Sequence, residues 1–143
     1  MRSFICLAVL SLIVIPQFSS AQDKSDLEKF ADMFIQAEEM AWQQGDFTAL
    51  QAIEDPDIFF HELNLRGFES HKKYIVDARK NVSGLHQEWQ YLTGDGNLFA
   101  MSYKSTGEYN GQNVKTEALM LFRRNTGKIT DVWLSLNTTV LEE

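Results

Sequence analysis

Apolar residues in the N-terminal half recur at helical spacing, and in the C-terminal half they alternate. Leu27, Phe30, Ala31, Phe34, Ala37, Ala41 and Trp42 fall at three- and four-residue steps, which stacks them on one side of a helix. Ser25-Asp26-Leu27-Glu28 has the form of a capping box at its start, and Gly45 marks its end. Asp46 can cap a second, short helix carrying Phe47, Leu50 and Ile53, which Asp55-Pro56-Asp57 stops. The aromatic and β-branched run Ile58-Phe59-Phe60-His61-Glu62 predicts a strand, Gly67 a loop, and residues 69–82 a third helix with Tyr74, Ile75, Ala78 and Val82 on its apolar side.

From Leu85 the rhythm changes. Gly94-Asp95-Gly96, Asn110-Gly111 and Asn125-Thr126-Gly127 are turn signals that separate four long strands, three of them at residues 97–109, 112–124 and 128–138. Asn110-Gly111 is the strongest of the three, because both residues tolerate the positive φ of a two-residue hairpin turn. Helices gathered at one end of the chain and strands at the other predict an α+β domain with helices on one face of an antiparallel sheet. Leu119 and Leu121 point to one face, and Ala118, Met120 and Phe122 to the other. Helices cover one face; the second calls for a partner, so a homodimer is expected.

The first 21 residues differ from the rest. Arg2 precedes an apolar stretch from Phe4 to Ile15, then Pro16 and the small residues Ser19-Ser20-Ala21. This is the pattern of a signal peptide cleaved after Ala21, its apolar run being shorter than the roughly 20 residues a membrane span needs. Residues 22–26 form a polar leader, 27–140 a single domain, and the expected location is secreted or periplasmic. Cys6, the only cysteine, lies in the signal, so thiol chemistry is not expected of the mature chain. Without Arg2 the remainder has 12 basic and 20 acidic residues, a net charge of −8. That balance argues against nucleic acid and, once the signal is removed, against an anionic membrane.

Several motifs are similar to those of the nuclear transport factor 2-like superfamily, in its SnoaL-like and ketosteroid-isomerase-like branches. They are residues 42–50 (Trp-Gln-Gln-Gly-Asp-Phe-Thr-Ala-Leu), 55–62, Arg66-Gly67-Phe68-Glu69, and 122–133 with Gly127-Lys128-Ile129 and Trp133. The resemblance implies a cone-shaped fold, three N-terminal helices on a curved antiparallel sheet that encloses a pocket, commonly in a dimer. In its isomerase-like pattern a carboxylate base ends the first strand, where this chain has His61 or Glu62. The oxyanion donors of that pattern fall at Glu38 and Met120, and the acid/base aspartate of the cyclases falls at Asn137.

His61-Glu62 is the sharpest chemical pair, since imidazole titrates near neutrality and a carboxyl in a dry pocket can be shifted toward it. It begins like a zinc-protease motif, but Leu65 stands where the second histidine belongs. His61, His71 and His86 have no recognisable ligand spacing, so no metal and no cofactor is expected. Alternation along the last strand groups Ile129, Asp131, Trp133, Ser135 and Asn137, an aromatic wall with polar groups. Asp131, Trp133 and Asn137, with Trp42 and Tyr103, are the expected ligand-binding residues. The favoured function is binding of a small, largely apolar ligand. The alternative is a cofactor-free isomerase, cyclase or lyase with His61 or Glu62 as general base.

Overall fold

The computed structural model describes residues 25–142. Residues 1–24, which include the segment expected to be a signal, the expected cleavage after Ala21 and most of the expected leader, lie outside the described residues. Helix α1 spans Asp26–Glu39 and starts with the expected box: Ser25 Oγ accepts from the Glu28 amide at 3.2 Å, and Glu28 Oε2 accepts from the Ser25 amide at 2.6 Å. Such caps contribute about 1 kcal/mol. A widened turn, Met40–Gln44, continues the helix to Gly45, whose φ is 72°. Asp46 Oδ1 accepts from the Thr48 amide at the start of α2 (Thr48–Ile53).

Strands β1 (Glu54–Phe60) and β2 (Leu65–Arg66) flank a tight turn, and α3 (Phe68–Ala78) follows Gly67. The four long strands are β3 (Val82–Gly94), β4 (Leu98–Tyr109), β5 (Gln112–Asn125) and β6 (Lys128–Val140). With β1 and β2 they form a six-stranded curved sheet in the order β2-β1-β6-β5-β4-β3. All neighbours are antiparallel except β1 and β6, which run parallel. The α+β, nuclear transport factor 2-like architecture expected from the sequence is therefore present.

Three local expectations are corrected. β1 starts at Glu54 because the chain stays extended through Pro56; its register with β6 shifts between Glu54 and Phe59, where Pro56 has no amide to donate. The third helix ends at Ala78, and Val82 belongs to β3, pairing with Tyr109. Along β6, Ile129 pairs with Arg124 and Asp131 with Arg123, so Thr130 is an extra residue. That bulge reverses the phase: Ile129 and Val132 are both buried, while Asp131 and Trp133 turn to the opposite face.

The core lies between α1 and the concave side of the sheet. Phe30 meets Phe99 edge-on at 5.5 Å, Phe34 meets Phe122 at 5.0 Å, and Phe99 stacks on Phe122. All four rings are buried, each contributing about 1.5–3 kcal/mol of hydrophobic stabilisation.

Candidate functional site

Between the α1 extension, α3 and the concave sheet lies a cavity of about 390 Å³. Its walls are chiefly apolar and aromatic: Trp42, Phe60 and Tyr74 from the helical side and β1, and Tyr103, Met120 and Leu134 from the long strands. Glu38 and His71 also line it. Helix geometry puts them there. Glu38 follows Phe34 by four residues and precedes Trp42 by four, and His71 lies four before Ile75, so each sits on the buried stripe of its helix.

Their partners define the chemistry. Glu38 Oε2 accepts from the Trp42 indole N–H at 2.8 Å. His71 Nδ1 lies 3.1 Å from the carboxylate of Glu54, which is itself 1% exposed and is not among the lining residues. Burial pushes the Glu38 carboxyl above its ordinary value and the charge of Glu54 adds to this; His71 and the Trp42 hydrogen bond oppose it. Burial alone pulls His71 down, but the hydrogen bond and charge of Glu54, with Glu38 behind them, outweigh it and raise the imidazole. Burial, then the charges of Glu38 and Tyr74, raise the Tyr103 phenol. Its hydroxyl bonds to no described residue, and so it can donate to a ligand.

One donor atom from each of Glu38, Glu54 and His71 falls within 4.8 Å of the others. Such an arrangement could hold a cation, or pass a proton between a carboxyl and an imidazole fixed from behind by a second carboxylate.

Of the residues expected to bind ligand, Trp42 and Tyr103 line the cavity, while Asp131, Trp133 and Asn137 lie on the other face of the sheet. His61 and Glu62 do not reach the cavity either. Both follow the end of β1, where His61 N donates to Val132 O at 3.0 Å and Glu62 Oε2 accepts from the Leu134 amide at 2.7 Å. The Glu62 side chain thus extends the ladder where its strand turns away. The His61 ring stacks on Trp133 at 4.3 Å, its Nε2 is 3.0 Å from Asp131 Oδ1, and Arg123 covers the other partner of the stack at 5.2 Å. Glu38 and His71 were missed as site residues, although a charged side chain in the middle of an apolar helical stripe was a signal for both.

The model of the family described as "SnoaL-like domain" matches residues 34–132. A candidate polyketide cyclase from Acidithiobacillus ferrooxidans is 15% identical, with a TM-score of 0.64 over 80% of this chain and 92% of that one. A LEH-like epoxide hydrolase from M. tuberculosis is 18% identical, with a TM-score of 0.57 over 74% and 84%. A protein of ketosteroid isomerase-like fold from Catenulispora acidiphila is 16% identical, with a TM-score of 0.58 over 71% and 82%. At these identities the likeness is one of fold. No curated protein sequence matches significantly.

Proposed function

The chain belongs to the SnoaL-like domain family, and from that premise we propose that it binds a small, largely apolar ligand in the cavity between its helices and sheet. The observation that carries this reading is the cavity itself: about 390 Å³, walled by rings and aliphatic side chains, with a few polar groups converging at Glu38, His71 and Tyr103. Such a lining supplies affinity through its apolar area and orientation through its polar atoms. The test is titration with the neutral fluorophore N-phenyl-1-naphthylamine. Saturable binding to the wild type that is lost in Ser105→Trp, which fills the cavity from β4, is expected. Equal binding by a folded Ser105→Trp protein would place the fluorophore elsewhere and overturn the reading.

One observation favours a second reading, cofactor-free proton transfer of the isomerase or cyclase kind. The Glu38 carboxyl, shifted up by burial, and the His71 imidazole, held from behind the wall by Glu54, line one apolar cavity with the hydroxyl of Tyr103. A base and a donor for developing negative charge are the two groups such chemistry needs. In this reading the base is Glu38 or His71, in place of His61 or Glu62.

Export and self-association complete the proposal. The pattern at residues 1–21 motivates cleavage after Ala21, and intact mass of protein recovered outside the cytoplasm tests it. The outer face of the sheet exposes Leu119, Leu121 and Tyr91, an apolar patch that pairing of two copies would cover. No described helix is long and apolar enough to cross a membrane.

A further inference from the structure

We propose that the ligand is a small organic cation, an amine or quaternary ammonium on an apolar body, with its charge against Glu38 and among the rings of Trp42, Tyr74 and Tyr103. The proposal rests on the cavity being the binding site and names what that site selects.

Charge is the first argument. Among the described residues the acidic side chains lining the cavity are Glu38 and Glu108, and no lysine or arginine lines it. The one basic group, His71, is held by Glu54 at 3.1 Å, so its charge is already answered. An anionic ligand would therefore meet carboxylates without a free countercharge, whereas a cation would meet a buried carboxyl whose only hydrogen bond among the described residues comes from the Trp42 indole.

The rings give the second argument. Trp42 and Tyr74 stand at 89° with centroids 6.3 Å apart, forming two walls of a corner, and Tyr103 lines the same cavity. Aromatic faces attract cations, and rings set at angles beside a carboxylate are the recognised way to hold an alkylammonium group that cannot donate hydrogen bonds. The Trp42–Glu38 hydrogen bond fixes carboxyl and indole side by side, so one cation can touch both. A bare metal ion could use Glu38, Glu54 and His71, but it would leave the aromatic corner without a role and would have to break the His71–Glu54 contact.

The test compares choline with its uncharged carbon analogue, 3,3-dimethylbutan-1-ol, by isothermal titration calorimetry, with N-phenyl-1-naphthylamine as a report on the cavity. Choline should bind the wild type at least about tenfold more tightly than the alcohol. Glu38→Gln should remove that preference while still binding the fluorophore, and Trp42→Leu should weaken choline more than the alcohol. If the fluorophore binds and choline shows no advantage, the inference is wrong and the cavity reading stands. If nothing binds, both fall. Binding of ZnCl₂ that depends on Glu38 and His71, with no choline binding, would mark a metal centre and also overturn the inference.

Discussion

His71 Nδ1 lies 3.1 Å from the Glu54 carboxylate, and the two side chains are 6% and 0% exposed. The contact joins the first turn of α3 to the first residue of β1 and fixes the imidazole that lines the cavity. Removing one partner of a buried pair leaves the other without compensation, at a cost of about 3–5 kcal/mol. We expect Glu54→Ala and His71→Ala each to lose that much in urea denaturation. The double variant should lose clearly less than the two losses together. Strict additivity would mean that the contact contributes nothing specific.

Stability should also depend on pH through Glu38. Its folded-state pKa is raised above 4.5, so the native chain holds a proton that the unfolded chain has released. Stability from this group is full below that value and is lost as pH rises through the raised one. His71, raised above 6.5, acts in the same direction over a higher window: its contribution is full below 6.5 and is lost as pH rises through the folded value. Thermal melts from pH 4.5 upward should show a steeper decline for the wild type than for Glu38→Gln. Parallel profiles would show that Glu38 ionises as freely as in the unfolded chain.

Much of the fold was legible because its signals are local. The Ser25–Glu28 box, the Asn110-Gly111 turn with φ values of 51° and 79°, and the alternation of Ala118, Met120 and Phe122 all depend on neighbours a few residues away. The parallel pairing of β1 with β6 joins positions about 75 residues apart, and no spacing along the chain announces it. The candidate site was lost to one residue of phase. The Thr130 bulge turned Asp131 and Trp133 out of the cavity, and His61, directly after the cavity-lining Phe60, alternates to the other face while its amide still bonds to Val132. Glu38 and His71 were hidden differently, as polar residues on stripes read for their apolar members.

Gly94 ends β3 at φ 138°, and a Cβ there would come within 2.4 Å of Leu98 O and 2.5 Å of Phe99 Cα. Backbone cannot yield as a side-chain tip can, and Phe99 is a core ring. Gly94→Ala should therefore cost more than about 1 kcal/mol, the scale of Gly111→Ala, where only the positive φ resists and no atom lies within 4 Å. Denaturant midpoints for the two variants decide it; equal losses would mean that the close approach at Gly94 relaxes without cost.

The outer face of the sheet gives a prediction about assembly. Leu119, 56% exposed, sits at its centre between Ser102 of β4 and Ser135 of β6. A lysine there would set like charges facing each other across a two-fold axis. Light scattering should give twice the mature mass for the wild type and the single mass for Leu119→Lys, with unchanged unfolding cooperativity. A wild-type monomer at micromolar concentration would show that the face stands uncovered in solution.

The last prediction separates the two places where a general base has been sought. His61 and Glu62 are occupied: one stacks on Trp133 beside Asp131, and the other accepts from the Leu134 amide. Glu38 and His71 line the cavity together with Tyr103. A panel of β,γ-unsaturated ketones, polyketide-like esters and epoxides therefore has a defined expected pattern. Should any member turn over, Glu38→Gln or His71→Phe should lower kcat by about 10²- to 10⁴-fold, the usual contribution of a positioned acid or base. His61→Ala should leave kcat within a few-fold of wild type, its effect confined to stability and self-association at the outer face. Loss of turnover in His61→Ala with a native melting profile would return the chemistry to the other side of the sheet. If nothing turns over while apolar ligands still bind, the site is one of recognition, and Glu38 holds a ligand without moving its proton.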